Sequence, residues 1–207
     1  MTVVVTDHHE VPYEIAQDGV RTECPPPADA VVDPKQNACG YPFDGICGAV
    51  VAYKLIQVLF ELIPVDQGGT KLQELLAFAA FATVGDVMAL TDENRIIVRE
   101  GLKLIAKSAN TGMQALITVN GLQNKPLSAY HIGFVLGPCL NATGRLDTAY
   151  RALRMFRTDD QAEAVTIAGE LKELNDSRKN MTLLGVRQAV QMIEESPLRD
   201  DKVLVVY

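Results

Sequence analysis

The chain begins on an unbroken β-branched run, Thr2 to Thr6 (TVVVT). With no polar alternation, it predicts a strand buried on both faces, the kind found in parallel sheets. Ala28 to Val32 predicts a second short strand, stopped by Asp33-Pro34. Between them lies a polar loop with Pro25, Pro26 and Pro27. From Phe43 the apolar period turns helical. Asp44 is placed to cap a helix running to about Leu62, ended by Pro64. Thr70 and Gln73 read as a capping box for Lys71 to about Thr83, and Thr91 as the cap of Asp92 to Lys107. Shorter helices are predicted at Gly112 to Val119, Leu127 to Leu136 and Asp147 to Phe156.

Asp159 and Asp160 then open a long helical stretch to about Glu195, with Gly169, Gly185 and Asn175-Asp176 as places where it could bend. At ~1.5 Å per residue it reaches roughly 55 Å, the span of a helix that links domains. The last run, Lys202 to Tyr207 (KVLVVY), predicts another buried strand. Both ends therefore read as cuts through a larger protein. The expected fold is α/β and helix-rich: a partial sheet domain over 1–157, an interdomain helix over 158–196, and the first strand of a following domain over 197–207.

Composition narrows the partners. Nearly half of the 207 residues are apolar, enough for a sizeable core, and the formal net charge is -7. A nucleic-acid contact must then come from a local cluster rather than a basic chain. The acidic balance fits a soluble cytoplasmic protein, and no charge-free run of membrane-spanning length occurs. Cys24, Cys39, Cys47 and Cys139 have neither C-x-x-C spacing nor a histidine at zinc-finger distance, so reduced thiols are expected.

Three segments carry candidate chemistry. Asp7-His8-His9 directly follows the first strand. Ligands in open parallel sheets bind beyond the carboxyl ends of strands, and imidazole with carboxylate suits divalent ions. Such a pair is also compatible with plain surface residues. Asp86, in Thr83-Val84-Gly85-Asp86-Val87, closes an apolar helix and is either a solvated end or a ligand held against the core. Gly137 to Arg145 (GPCLNATGR) combines small residues, an amide at Asn141 and a guanidinium at Arg145 suited to phosphate. Alone it also reads as a simple turn between helices. His131 sits in a helical segment and reads as a satisfied, partly buried histidine.

Taken in order, these segments resemble the RecJ-type single-strand DNA exonucleases of the DHH phosphoesterase family. The likeness lies in TDHHEVP (6–12), VVDPKQ with YPFDGICGAVVAYKL (31–55), ATVGDVMALTDENR (82–95) and HIGFVLGPCLNATGR (131–145), and continues in the charged helix around Glu173-Leu174-Asn175. It implies a two-metal, Mn- or Mg-dependent site that hydrolyses single-stranded DNA from the 5′ end, in DNA repair and recombination. By resemblance His8 and Asp86 are metal ligands, and His9 contacts the scissile phosphate. Asp7 supports the imidazoles or the second metal shell, and Asn141 and Arg145 belong to a loop that grips the DNA end. The family places a D-x-D motif and another aspartate on strands before the DHH segment, whereas six residues precede Asp7 here. An incomplete metal site with little or no nuclease activity is therefore expected of this chain alone, together with self-association or rearranged pairing through exposed sheet edges. Two other readings stay open: a different DHH phosphoesterase, acting on oligoribonucleotides or cyclic dinucleotides, and a helical interaction module without catalysis.

Overall fold

Two short parallel strands bring the first candidate segment to the helices. In the computed structural model, β1 (Val4–Thr6) pairs in parallel with β4 (Ala30–Val32), with Val5 opposite Val31. Asp7 N–H extends the ladder by donating to Val32 O at 3.0 Å. The structure describes residues 1–146, 149–197 and 200–206, without the side chains of residues 143–146.

The expected burial of the first strand is not what the fold shows. Val4 and Thr6 are exposed and only Val5 is half-buried. A strand is buried on both faces when covering elements lie above and below it. Among the described residues β1 has one neighbouring strand, with α1 near it. Beside β4 an apolar cleft of ≈ 690 Å³ opens, lined by Val31, Val32, Ile46, Val51, Leu55 and Val58 among others. The segment between the two strands also holds a hairpin that the pattern did not predict. β2 (Tyr13–Ile15) pairs antiparallel with β3 (Arg21–Glu23), and the Arg21 guanidinium lies 4.6 Å from the Tyr13 ring centre. Three-residue strands are too short for a period to emerge.

The rest is helical: α1 (Gly48–Leu62), α2 (Gly68–Gly85), α3 (Asp92–Ile105), α4 (Thr111–Val119), α5 (Ala129–His131), a π-helical turn (Ile132–Leu136), α6 (Gly137–Leu146), α7 (Tyr150–Arg157) and α8 (Gln161–Glu195). α1 and α3 pack on α2, while α4, α6 and α7 pack on α8. Val50, Ile105, Met113, Leu116, Ile132, Leu136, Met155 and Leu171 are all fully buried between them. Each such large side chain contributes about 1.5–3 kcal/mol relative to exposure. Small residues allow the closest approaches. A Cβ on Gly101 of α3 would stand 2.1 Å from the Ala80 Cβ of α2.

Several helix starts differ from expectation. α1 begins at Gly48 after Cys47, so Asp44 is not its cap. α2 begins at Gly68 behind Gln67, which takes a left-handed φ of 55°, so the Thr70–Gln73 capping box does not form. Thr91 precedes α3 but makes no side-chain cap bond. Two caps do form. Asn110 Oδ1 accepts from Met113 N–H at 2.9 Å, and Asp160 accepts from Ala162 and Glu163 N–H at the start of α8. The local signal was right in kind, since a short polar side chain satisfies the orphan N–H groups, but the chain geometry selects which residue serves.

The helix expected to stop at Leu136 continues to Leu146 through the π turn. Gly137 N–H bonds back to Ile132 O, five residues away. Pro138 follows; it has no N–H for the carbonyl of Phe134, and its ring crowds that carbonyl. Widening by one residue relieves the conflict without ending the helix. A Cβ at Gly137 would stand 2.8 Å from Ile132 O, so glycine is needed there. Asn141 and Arg145 are consequently on a helix, not on the loop that was expected. At the other end, residues 202–206 form no strand and Val203 and Val205 are exposed.

One polar network braces this half of the molecule. Tyr41 OH donates to Glu93, which also pairs with Lys54, so the loop before α1, α1 itself and α3 are tied together. Burial pushes the Glu93 carboxyl up, but the hydrogen bonds from Lys54 and Tyr41, with the Lys54 charge, outweigh it and hold it below the ordinary carboxylate value. All four cysteines are free thiols, Cys47 and Cys139 buried. No helix among the described residues is long and apolar enough to cross a membrane.

Candidate metal and phosphate site

Asp7, His8 and His9 leave the carboxyl end of β1, and the structure brings only one of the imidazoles into a cleft. His8 is largely buried and its Nε2 lies 3.6 Å from Asp86 Oδ2. The cleft, ≈ 440 Å³, is bounded by β1's end, the start of α1, the end of α2 and α6; His8, Gly48, Asp86, Gly137, Leu140 and Asn141 are among its lining residues. Gly48 matters because a Cβ there would lie 3.2 Å from His8 Cδ2. Without that atom, α1 can begin directly against the imidazole.

His9 is not among these lining residues. Its Nδ1 lies 2.7 Å from Asp7 Oδ1, and its ring centre is 4.4 Å from that of His8. Asp7 Oδ1 also accepts from the backbone N–H of His8 at 2.7 Å and of His9 at 3.3 Å. The His9 hydrogen bond, followed by these two N–H groups, holds the Asp7 carboxyl at about 2. A carboxylate only accepts, so His9 Nδ1 donates in this contact. Asp7 therefore orients His9 rather than His8.

Asp86 is set by the way α2 ends. Val87 N–H bonds to Val84 O and Met88 N–H to Thr83 O, both at 3.1 Å, which is the Schellman pattern. The position that usually holds glycine is Val87, with φ 57°. For a β-branched residue that conformation is strained, costing about 1–2 kcal/mol. Val87 is 89 % exposed and packs on little. Val87→Asn, which tolerates this region, is expected to raise stability by about 0.5–1 kcal/mol in urea unfolding; a loss of stability would mean that the turn is not strained. Strain beside a candidate ligand is the kind of cost that functional sites carry.

Asn94, fully buried on α3, braces the same corner. Its Nδ2 donates to Gly45 O at 2.7 Å and Ala89 O at 3.0 Å, joining the loop before α1 to the loop after α2. The sequence pattern placed Asn94 in a charged first turn and did not single it out. Neither did it single out Gly48; the only signal for either lay in the longer motifs that contain them. Asn141 is exposed at the cleft, whereas the Arg145 side chain lies outside the described residues. His131 is satisfied away from the cleft: its Nδ1 is 2.9 Å from Ser128 Oγ and accepts from Ser128 N–H.

The donor set fits a divalent ion in part. Two ligands of one ion, each ~2.0–2.2 Å from it, stand about 3–3.6 Å apart, and His8 and Asp86 meet that spacing. One imidazole with one carboxylate suits Mn better than Mg. Among the described residues no group of three or more His, Cys, Asp or Glu converges.

Known proteins share this arrangement of segments. No family model matches the chain. The single-stranded-DNA-specific exonuclease RecJ of Bacillus subtilis is 33% identical over 205 residues, covering 99% of this chain and 24% of that protein. Along nearly its whole length, the chain is similar to RecJ. The RecJ of Escherichia coli is 35% identical over 188 residues, 86% of this chain and 31% of its own length. A crystal structure of exonuclease RecJ bound to manganese superposes with a TM-score of 0.75 at 31% identity, covering 96% of this chain and 46% of that one. The chain thus spans about a quarter to a third of the RecJ sequences it matches. The helix-rich α/β expectation is met.

Proposed function

We propose that this chain contributes one side of a divalent-metal phosphodiesterase site that acts on single-stranded DNA in the 5′→3′ direction, in cytoplasmic DNA repair and recombination. The observation that carries the reading is the meeting of His8 Nε2 and Asp86 Oδ2 at 3.6 Å, from strand and helix ends 78 positions apart in the sequence, in a cleft that Asn141 also lines. The similarity to RecJ supports the substrate class, and RecJ crystal structures with Mn2+ and Mg2+ support the metals.

His8 and Asp86 are the residues that would hold an ion, whose chemistry is Lewis acidity at a phosphoryl oxygen and a more acidic water. The other roles belong to side chains of this chain. Asp7 holds the His9 ring in place through Nδ1, and Nε2–H of the imidazolium donates to the scissile phosphate. Asn141 donates its amide to a phosphate oxygen, and Arg145 adds the guanidinium grip. With one His–Asp pair converging, ion binding by this chain is weak and hydrolysis is slow or absent. Residues 1–157 then form part of a DHH domain and 158–196 the helix leading from it. Support comes from α8, whose second half exposes Met181, Leu183, Leu184, Val186, Val190 and Met192, a surface suited to further protein. The uncovered edges of the β1–β4 pair support self-association.

Substoichiometric Mn2+ added to the isotopically labelled chain tests the site. Paramagnetic broadening is expected first at His8, Asp86 and Gly48, and rapid Mn-dependent degradation of 5′-labelled single strands is not expected. Broadening that begins elsewhere and leaves His8 untouched would overturn the site.

A further inference from the structure

Two aromatic rings stand in solvent on the same helical rod that lines the cleft. Tyr130 is 63 % exposed and Phe134 68 %. Their ring centres are 5.0 Å apart at 26°, a stacked pair. Most aromatic side chains of this size are buried, because each removes a large apolar area from water. Here two adjacent rings are held out instead, and the helix that bears them is not loose. His131, edge-on to Tyr130 at 6.0 Å, is locked by the Ser128 capping box. A Cβ at Gly133 would be in ordinary contact with Val84 Cγ1 at 3.6 Å, so the π turn rests on the end of α2 that carries Asp86.

We propose that Tyr130 and Phe134 form a stacking platform for nucleobases of the single strand whose phosphate lies at the His8–Asp86 cleft. The inference rests on the function proposed above and adds the place where the bases bind. Continuity argues for this occupant. The rod runs from the rings through the π turn to Gly137, Leu140 and Asn141, which line the cleft. From Phe134 to Asn141 is about 10 Å at the helical rise. That equals roughly three stacked nucleotides at ~3.4 Å each. A strand gripped at the cleft can therefore reach the rings with bases a few positions along. Stacking suits a partner read without sequence preference, since every base presents a π-face.

The test uses the full chain, an oligo-dT strand with one 2-aminopurine placed in turn within about the first six nucleotides, and Mn2+. One or two labelled positions are expected to be quenched on binding. The double variant Tyr130→Leu/Phe134→Leu is expected to lose that quenching and to bind roughly five- to a hundredfold more weakly. Phe134→Trp should keep both, because it keeps a π-face. Circular dichroism of the leucine variant should match that of the unchanged chain, as both rings are mostly exposed. Mn2+ broadening at His8 and Asp86 should be the same in all variants. If the leucine variant binds and quenches like the unchanged chain, the platform is refuted while the metal site stands. If the unchanged chain shows the broadening but binds no strand, the platform is likewise refuted. If broadening at His8 and Asp86 is itself missing, the functional reading falls first. A leucine variant that changes only self-association would make the rings a protein contact and overturn the proposal.

Discussion

Asp86→Asn is expected to weaken Mn2+ binding by more than about a hundredfold in calorimetric titration. Losing an outer partner of a ligand costs about 10–100-fold, and Asp86 is placed as a ligand itself. The exchange removes a negative charge and replaces one carboxylate oxygen by an amide nitrogen with no lone pair for an ion. The fold gives the change little else to disturb. Asp86 is half exposed, and the turn that positions it is made by backbone bonds of Ala82, Thr83 and Val84. Melting temperature should therefore stay near that of the unchanged chain. His8→Ala is expected to give the same loss, since its Nε2 is the neighbouring donor. Unchanged affinity in Asp86→Asn would show that the ion sits elsewhere.

Gly112→Ala should produce the largest loss of stability, more than about 3 kcal/mol in urea unfolding. A Cβ at Gly112 would lie 2.2 Å from Met155 O, 2.7 Å from its carbonyl carbon and 3.0 Å from Phe156 Cα. Overpacking against movable side chains typically costs about 1–3 kcal/mol. Here the obstacle is backbone, so α4 must shift away from α7 as a unit. That shift would stretch the Asn110 Nδ2 bond to Phe156 O, now 2.8 Å, and loosen fully buried Met113 and Met155. A destabilisation under about 1 kcal/mol would mean that α4 and α7 are not packed this closely.

Much of the site was readable before the fold was known, because its residues sit in short runs with distinctive composition. TVVVT followed by Asp-His-His announced a strand with candidate ligands just beyond its carboxyl end, and β1 ends directly before Asp7. The apolar helix ending in Gly-Asp-Val announced a carboxylate at a helix terminus, and Asp86 is there. What the pattern misplaced were local conformations that neighbours decide. Gly137-Pro138 is a strong stop signal on its own. Packing of Ile132, Leu136 and Cys139 into the core outweighs it, and the cost is absorbed as one π turn. Thr70–Gln73 had the right spacing for a capping box, yet α2 starts three residues earlier, behind Gln67, where that box does not form.

The amino-acid sequence by itself determined the helix-rich α/β class, the long α8 with its Asp160 cap, and the residue types able to hold an ion or a phosphate. These follow from periodicity and side-chain chemistry, which are properties of neighbours along the chain. Only the tertiary structure decided that His8 meets Asp86 while His9 turns to Asp7, that Gly48 makes room for the imidazole, that Asn94 ties two loops together, and that Tyr130 and Phe134 stay in solvent. Those outcomes depend on distances between segments far apart in sequence, and such distances are set by how buried faces and small residues let the helices approach.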